Sequence, residues 1–355
     1  MRYGARRRAS RVSPYGDGFA RGLLPSGYTR PMSLLFRDAA GPNLAPGGSV
    51  LCVGAFDGLH LGHRALLAHV RERAAAQALT PLAISFEPIP REFFAHGVPV
   101  PRIASAREKI AQIGASGISL LLLRFDARLV AMPAEAFVED VLIARADARE
   151  IWVGGDFRFG HARRGDVALL RAIGERRGFS VEVMDDVAID GVRISSSAIR
   201  RHLAAGEFDA AARLLGRRFT IGGHVVRGRQ LGRKLGYPTA NIRLGRRAAP
   251  VAGIFAVHVH GVEASSRAGV ASLGVRPTID GGGEPLLEAH LFDFDGDLYG
   301  RRIEIEFVRK LRDEAKFDDL DAMVRQIDRD AAEARSVLGV GRGAANGSPD
   351  GASAP

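Results

Sequence analysis

The sequence predicts an α/β domain built on a parallel sheet, followed by a mainly antiparallel β domain that closes with a helix. Two patterns and a breakpoint lead there. From Ser49 to about Leu215, short apolar runs (Val50–Val53, Leu82–Phe86, Ile118–Leu123, Glu150–Val153, Ser180–Val183) alternate with amphipathic stretches at Arg64–Ala78, Ala106–Ile113, Pro133–Ile143 and Val167–Arg177. Strands separated by helices of that length form βαβ units, with the sheet covered on both faces. Near Gly216 the helical period stops. From Arg217 to Phe307 glycine is frequent and β-branched pairs recur, as in Phe219-Thr220-Ile221, Ile254-Phe255-Ala256-Val257 and Ile303-Glu304-Ile305-Glu306-Phe307. That pattern fits an antiparallel barrel or a sandwich. Leu320, Met323, Val324 and Ile327 then repeat at helical spacing and predict a helix over about 320–337.

Length and composition agree with two domains. The 355 residues leave room for two cores, and 46% hydrophobic with 25% charged residues is ordinary for a soluble globular chain. No apolar stretch approaches the roughly 18–20 residues that cross a bilayer; Ile118–Leu123 runs straight into Arg124. The single cysteine, Cys52, excludes an intrachain disulfide and a clustered thiolate metal site, and suits a reducing compartment.

The net charge of +10 is unevenly spread: residues 1–31 hold seven arginines against one acid, Asp17. The remainder has no lysine-rich stripe, and its few aromatics do not interleave with basic residues, which argues against nucleic-acid binding. Residues 1–31 lack the apolar core of a secretory signal, and although Arg-rich like a transit peptide they read as a disordered or mis-annotated extension, with Met32 the natural start or the extension dispensable. After Leu338 the chain turns to Gly, Ala, Ser and Pro, a disordered tail. The expected limits are therefore 1–31, 32–215, 216–338 and 339–355.

Gly54-Ala55-Phe56-Asp57-Gly58-Leu59-His60-Leu61-Gly62-His63 follows an apolar strand and opens a helix. A helix start presents unpaired N–H groups and partial positive charge, which favour phosphate. His60 and His63 at its mouth offer hydrogen bonds to a charge developing on phosphate oxygens. Taken alone, His-x-x-His reads as surface residues or, second, as a metal pair. The whole string resembles the HxGH signature of the nucleotidylyltransferase superfamily, and Phe-Asp-Gly within it is similar to the flavin-adenylylating branch.

Further segments carry the same resemblance. Ser85-Phe86-Glu87-Pro88-Ile89-Pro90 is similar to a family loop, with Ile89 where histidine is common. Gly154-Gly155-Asp156-Phe157-Arg158-Phe159-Gly160 resembles the flavin-site motif: Phe157 and Phe159 suit an isoalloxazine ring, and Asp156 and Arg158 give polar orientation. Ile194-Ser195-Ser196-Ser197-Ala198-Ile199-Arg200 resembles the ISSTxIR signature. Its serines serve as caps or phosphate donors, and the Arg200 fork suits an oxyanion. The resemblance implies an ATP site at Gly54, Phe56, Asp57, Gly62, Ser195, Ser196 and Ser197, with His60, His63 and Arg200 catalytic. The reaction implied is attack of the FMN phosphate on the α-phosphorus of ATP.

Downstream, Gly222-Gly223-His224-Val225-Val226-Arg227-Gly228 and Gly232-Arg233-Lys234-Leu235-Gly236-Tyr237-Pro238-Thr239-Ala240-Asn241 invite a P-loop reading. The spacing excludes it, because Leu235 and not Ser or Thr follows Lys234. The stretch resembles a riboflavin kinase barrel, whose Pro-Thr-Ala-Asn motif lies in a loop. So do Gly269–Thr278, Leu287–Leu291 and Asp295–Gly300. The resemblance implies Mg²⁺ at Thr239 and Asn241, ATP at Gly228, Gly232 and Pro238, and Glu288 as general base.

Both halves, over about residues 34–336, are similar to the bifunctional prokaryotic riboflavin kinase/FAD synthetase family. The fold implied is a Rossmann-like HxGH nucleotidylyltransferase domain followed by a riboflavin kinase β-barrel with a C-terminal helix. Riboflavin, FMN, FAD and ATP are the ligands implied, Mg²⁺ the cofactor and the cytoplasm the compartment. Neither nucleic acid nor membrane is expected, and the chain is expected to be a monomer or weak homo-oligomer. Two other readings are weaker: a nucleotidylyltransferase with a regulatory barrel, against which the intact Thr239, Asn241 and Glu288 argue, and a nucleic-acid-binding protein, against which the missing lysine-rich stripe argues.

Overall fold

The structure, a computed structural model, describes residues 33–95, 98–228, 236–244, 248–275 and 285–341. Residues 1–31, Met32, Gly232, the Arg276-Pro277-Thr278 part of one motif and positions 342–355 of the tail lie outside them. The strands of the first half are β1 (Leu35–Arg37), β2 (Ser49–Val53), β3 (Thr80–Glu87), β4 (Ser119–Arg124), β5 (Ala148–Gly154) and β6 (Ser180–Met184), with a small hairpin of β7 (Ala188–Ile189) and β8 (Val192–Arg193). The helices are α1 (Leu61–Ala76), α2 (Pro90–Phe93), α3 (Ala106–Ala115), α4 (Ala127–Ala131), α5 (Ala134–Ala136), α6 (Val167–Arg177), α7 (Ser196–Ala204) and α8 (Phe208–Leu215).

β1–β6 form one parallel sheet in the order β1-β4-β3-β2-β5-β6. Alternation along β2 divides the core. Val50 and Cys52 pack with Leu67 and Val70 of α1 and Ile113 of α3, while Leu51 and Val53 pack with Val138, Val141 and Leu142 opposite. Period-2 burial on both faces explains why the strand reads as an unbroken apolar run. Burial pushes the Cys52 thiol pKa up, in keeping with a packed hydrophobe. The helix expected at Pro133–Ile143 is instead α5 continued by a π-helix over Phe137–Arg145. The wider turn leaves the spacing of apolar residues almost unchanged, so periodicity does not report it.

The second half is a closed barrel, not a sandwich. β9 (Thr220–Val226), β10 (Ala240–Arg243), β11 (Gly253–His260), β12 (Arg267–Val275), β13 (Pro285–Leu291) and β14 (Arg302–Arg312) run in the order β10-β13-β12-β11-β14-β9, and β9 pairs back with β10. Val225, Ile242, Phe255, Val257, Leu273, Leu287, Ile305 and Phe307 fill the interior. α9 (Leu320–Leu338) lies outside, with Ala331 and Ala334 against Ala256, Val270 and Phe292. Arg335 fastens it through a fork onto Asp293 (2.8 and 3.0 Å) and by stacking 4.3 Å from the Phe292 ring centroid.

The α7–α8 pair belongs to the barrel core although it precedes the barrel in sequence. Ile199, Leu203, Phe208, Leu214 and Leu215 share one apolar cluster with the barrel interior. The Phe208 ring lies 5.8 Å from Phe255 and 5.9 Å from Phe307. A boundary at 215/216 therefore falls inside a common core.

Candidate active sites

The first site sits where the sheet changes direction. The chain runs β2, β3, β4 to one side and then crosses to place β5 on the other flank of β2. Loops after β2 and β5 flank the crevice at such a switch point, and those loops are the Gly54–His63 and Gly154–Gly160 segments.

The turn after β2 is strained and held from several sides. Phe56, Gly58 and Leu59 have positive φ values of 49°, 85° and 42°. A Cβ at Gly58 would lie 2.6 Å from the Ile103 side chain, so this position needs glycine on two counts. Phe56 is buried. His60 is the N-cap of α1, and its Nδ1 accepts the His63 N–H at 3.2 Å. That bond leaves the proton of a neutral His60 ring on Nε2. Gly62 lies beside the His60 ring in the first turn, and Gly54 leads in from the strand. The two imidazoles stack 3.6 Å apart at 14°. Burial lowers the His60 pKa to about 4, with the Asp57 charge opposing and the Arg200 charge adding to the effect. Burial, then repulsion from His60, holds His63 well below its usual value. Both rings are neutral hydrogen-bonding groups at pH 7.

Asp57 is a buried node. Its carboxylate accepts the N–H groups of Ile103 (3.1 Å) and Ala104 (3.2 Å) and the Arg200 guanidinium (2.5 Å). Its carbonyl accepts the Ser196 hydroxyl at 2.9 Å. Ser195 caps α7 by accepting the Ala198 N–H at 3.2 Å, and Ser197 is exposed. The structure thus brings Arg200, Ser196, Asp57 and His60 together. It binds Asp57 to protein groups, which gives that residue an orienting position. The sequence reading missed the cations around it. Arg102 and Lys109 are buried against Asp57, Glu87 and Glu92, and the only signal in the sequence is a charge on the apolar side of a helix or loop.

In the second loop, Phe157 and Phe159 stack with centroids 5.4 Å apart. Phe159 is buried in the sheet core, and its main chain pairs with Gly165 (3.1 and 2.9 Å). Phe157 is half-buried, while Asp156 and Arg158 are exposed. Arg158 lies 3.7 Å from Asp166, the cap of α6. Ile89 is buried at the start of α2.

The barrel site is built on its outer surface. Asn241 is not in a loop, as the motif implied; it is on β10, with Thr239 just before the strand. Antiparallel register sets Asn241 directly opposite Glu288 on β13, and Glu288 opposite Ser272 on β12. Directly paired residues share a sheet face, so the two motif residues meet although 47 positions separate them. Asn241 is 4% exposed. Its Nδ2 donates to the Thr239 carbonyl at 3.1 Å, while its buried Oδ1 finds no partner among the described residues. A Cβ at Gly228 would lie 2.6 Å from that Oδ1, so glycine there leaves the oxygen its space. An orphaned carbonyl oxygen beside a threonine fits a hard cation. Pro238 is anchored by His290, whose Nδ1–H donates to its carbonyl at 3.0 Å. Burial and the Arg335 charge keep His290 below its usual pKa.

Family models match each half of the chain. A family model described as FAD synthetase matches residues 43–198, and one described as riboflavin kinase matches 215–338. The bifunctional riboflavin kinase/FMN adenylyltransferase of Pseudomonas fluorescens is 44% identical over 291 residues, covering 82% of this chain and 93% of that protein. The protein of the same description from Escherichia coli K12 is 42% identical over 294 residues, covering 82% and 94%. That of Haemophilus influenzae is 38% identical over 305 residues, covering 86% and 99%. Among solved structures, a Streptococcus pneumoniae protein described as a macrolide-efflux protein matches with a TM-score of 0.68 at 28% identity, covering 86% of this chain and 99% of that one. The efflux role in that name is said of that protein. Among the described residues here, no helix is long and apolar enough to cross a membrane.

Proposed function

The chain belongs to the bifunctional riboflavin kinase/FMN adenylyltransferase family, and from that premise we propose how its residues divide the two reactions. The protein phosphorylates riboflavin to FMN and adenylylates FMN to FAD. ATP serves as co-substrate twice.

In the barrel, Glu288 accepts the proton of the terminal ribityl hydroxyl as that oxygen attacks the γ-phosphorus of ATP and ADP leaves. Asn241 Oδ1 and the Thr239 hydroxyl would hold Mg²⁺, which would supply neutralisation of phosphate charge. Gly228 and Pro238 line the ATP side, and Gly232, outside the described residues, is assigned to ATP by its motif alone. The observation that supports this assignment is the pairing of Asn241 with Glu288 across β10 and β13, which sets the two side by side on one face.

In the α/β domain, an FMN phosphate oxygen attacks the α-phosphorus of ATP and pyrophosphate leaves. His60, through Nε2–H, and His63 donate to the oxygens on which charge grows, and Arg200 with Ser195, Ser196 and Ser197 orients the phosphates. Gly54, Phe56, Asp57 and Gly62 shape the turn that receives ATP. Phe157 and Phe159, with Asp156 and Arg158, form the flavin side. No covalent enzyme intermediate is required. The chain acts in the cytoplasm on small flavins and nucleotides, as a monomer or weak homo-oligomer, without nucleic acid.

The test is direct: incubate the purified protein with riboflavin and MgATP, then separate the flavins by chromatography. FMN should appear first and FAD after it. Absence of either product from folded protein sinks the corresponding half of the reading.

A further inference from the structure

Residues 101–104 carry no motif, yet they are bonded in three directions. Towards the barrel, Pro101 bridges Ala248 and the Arg102 N–H donates to the Ala248 carbonyl at 3.0 Å. Towards the adenylyl site, the Ile103 and Ala104 N–H groups donate to Asp57, and the Pro101 carbonyl accepts Arg200 Nε at 2.8 Å. Towards the end of β3, the Arg102 guanidinium forks onto Glu87 (3.1 and 3.3 Å) and donates to Glu92 at 2.7 Å, with its Nε 3.5 Å from Asp57.

This is a cluster of three carboxylates (Asp57, Glu87, Glu92) and three cations (Arg102, Lys109, Arg200), in which Asp57, Arg102 and Lys109 are buried and the other three half-buried. Lys109 is fully buried and donates to the Phe86 carbonyl at 2.6 Å, with Glu87 at 3.2 Å. Burial pushes Glu87 up, but Arg102 and Lys109 outweigh it and hold the carboxyl below its usual range. Burying this many charges is costly and is sustained only by close pairing. An arginine fork spans two carboxylates at fixed geometry; a lysine ammonium cannot.

The geometry points to Arg102 as a positioning residue for adenylyl transfer, one that holds Asp57 against Arg200 and the His60 turn while its main chain ties that arrangement to the barrel. This rests on the adenylyl-transfer reading of the His60–His63 turn. Arg102 touches neither histidine; it acts through Asp57. Asp57 stands between Phe56 and Gly58, both at positive φ. Such backbone persists only where its surroundings over-determine it. With the guanidinium removed, Asp57 keeps Arg200 and the Ile103 and Ala104 N–H groups but loses the charge of Nε at 3.5 Å, which the fork onto Glu87 and Glu92 holds in place, and the turn relaxes.

The test compares Arg102→Met and Arg102→Lys with the full-length wild type, measuring FAD formation from supplied FMN and MgATP. Misplacement of catalytic groups by about 1 Å costs on the order of 10² in rate. The kcat of Arg102→Met should therefore fall about 10- to 100-fold, with KM for FMN and ATP within about three-fold. Arg102→Lys should recover part of the loss, and FMN formation from riboflavin should be unchanged in both. Wild-type kcat in Arg102→Met, or a loss confined to KM, overturns the proposal. If Arg102→Met fails to melt cooperatively, the decision passes to Arg102→Lys: reduced kcat at unchanged KM supports the role, and wild-type kcat overturns it. A wild-type protein that makes no FAD at all would instead overturn the adenylyl-transfer reading, which separates the two failures.

Discussion

Gly228→Ala is a small change aimed at one atom. The added Cβ would stand 2.6 Å from Asn241 Oδ1 and 2.7 Å from its Cγ and Nδ2, well inside ordinary van der Waals contact. Asn241 is buried, and its Nδ2 is engaged by the Thr239 carbonyl, so the amide cannot swing clear without losing a bond. Gly228 is not among the glycines with positive φ, and the backbone itself accepts alanine. Overpacking of this kind costs about 1–3 kcal/mol. Relieved by pushing Oδ1 off the cation position, the clash removes up to that much transition-state stabilisation from the barrel, about a 5- to 150-fold loss at roughly 1.36 kcal/mol per decade. The assay is the initial rate of FMN formation at saturating and at limiting Mg²⁺. The loss should be larger at limiting Mg²⁺, and FAD formation from supplied FMN should be normal. Wild-type FMN formation at limiting Mg²⁺ would refute the placement of the cation at Asn241 Oδ1.

Other outcomes follow from the same geometry. Glu288→Gln keeps shape but removes the proton acceptor, so FMN formation should drop about 10²- to 10⁴-fold while FAD formation from FMN persists; equal loss of both steps would count against it. Changing His60 and His63 together to Ala should stop flavin conversion at FMN, as seen by chromatography, because neutral donors worth a few kcal/mol each are removed from the α-phosphate. Stability should fall in acid through the same histidines. His60 is held at about 4 in the fold against an ordinary value of 6.5, so the unfolded chain takes up the proton first. Stability linked to His60 is full above pH 6.5, declines between 6.5 and 4, and is lower by roughly 3 kcal/mol below that. Melting curves across this range should be flatter for the double alanine variant.

Much of the α/β half was legible because its strands are buried on both faces and its helices show one apolar stripe. The start of α1 was less so: it begins at Leu61, three residues before the expected Arg64, because histidine, not one of the usual capping residues, caps it. β1 is three residues long and below what periodicity resolves. In the second half, alternation marks which residues face inward but not which strands are neighbours, so barrel and sandwich look alike until β9 meets β10. The motif residues were visible one by one. What could not be read was their company: the pairing of Asn241 with Glu288, and the arginine and lysine gathered on Asp57 and Glu87, depend on contacts between segments far apart in the chain.

The position of α8 bears on the order in which this molecule comes into being. Phe208, Leu214 and Leu215 close the barrel interior, yet they leave the ribosome before any barrel strand does. Until β11 and β14 are synthesised, that helix lacks its barrel partners Phe255 and Phe307, and its apolar face is not fully covered. The last strand, whose Phe307 meets both Phe208 and Phe219, therefore completes two modules in one event. Nascent chains stalled short of Phe307 should expose this face to chaperones and proteases, and the two halves should lose their structure together on heating, not one after the other.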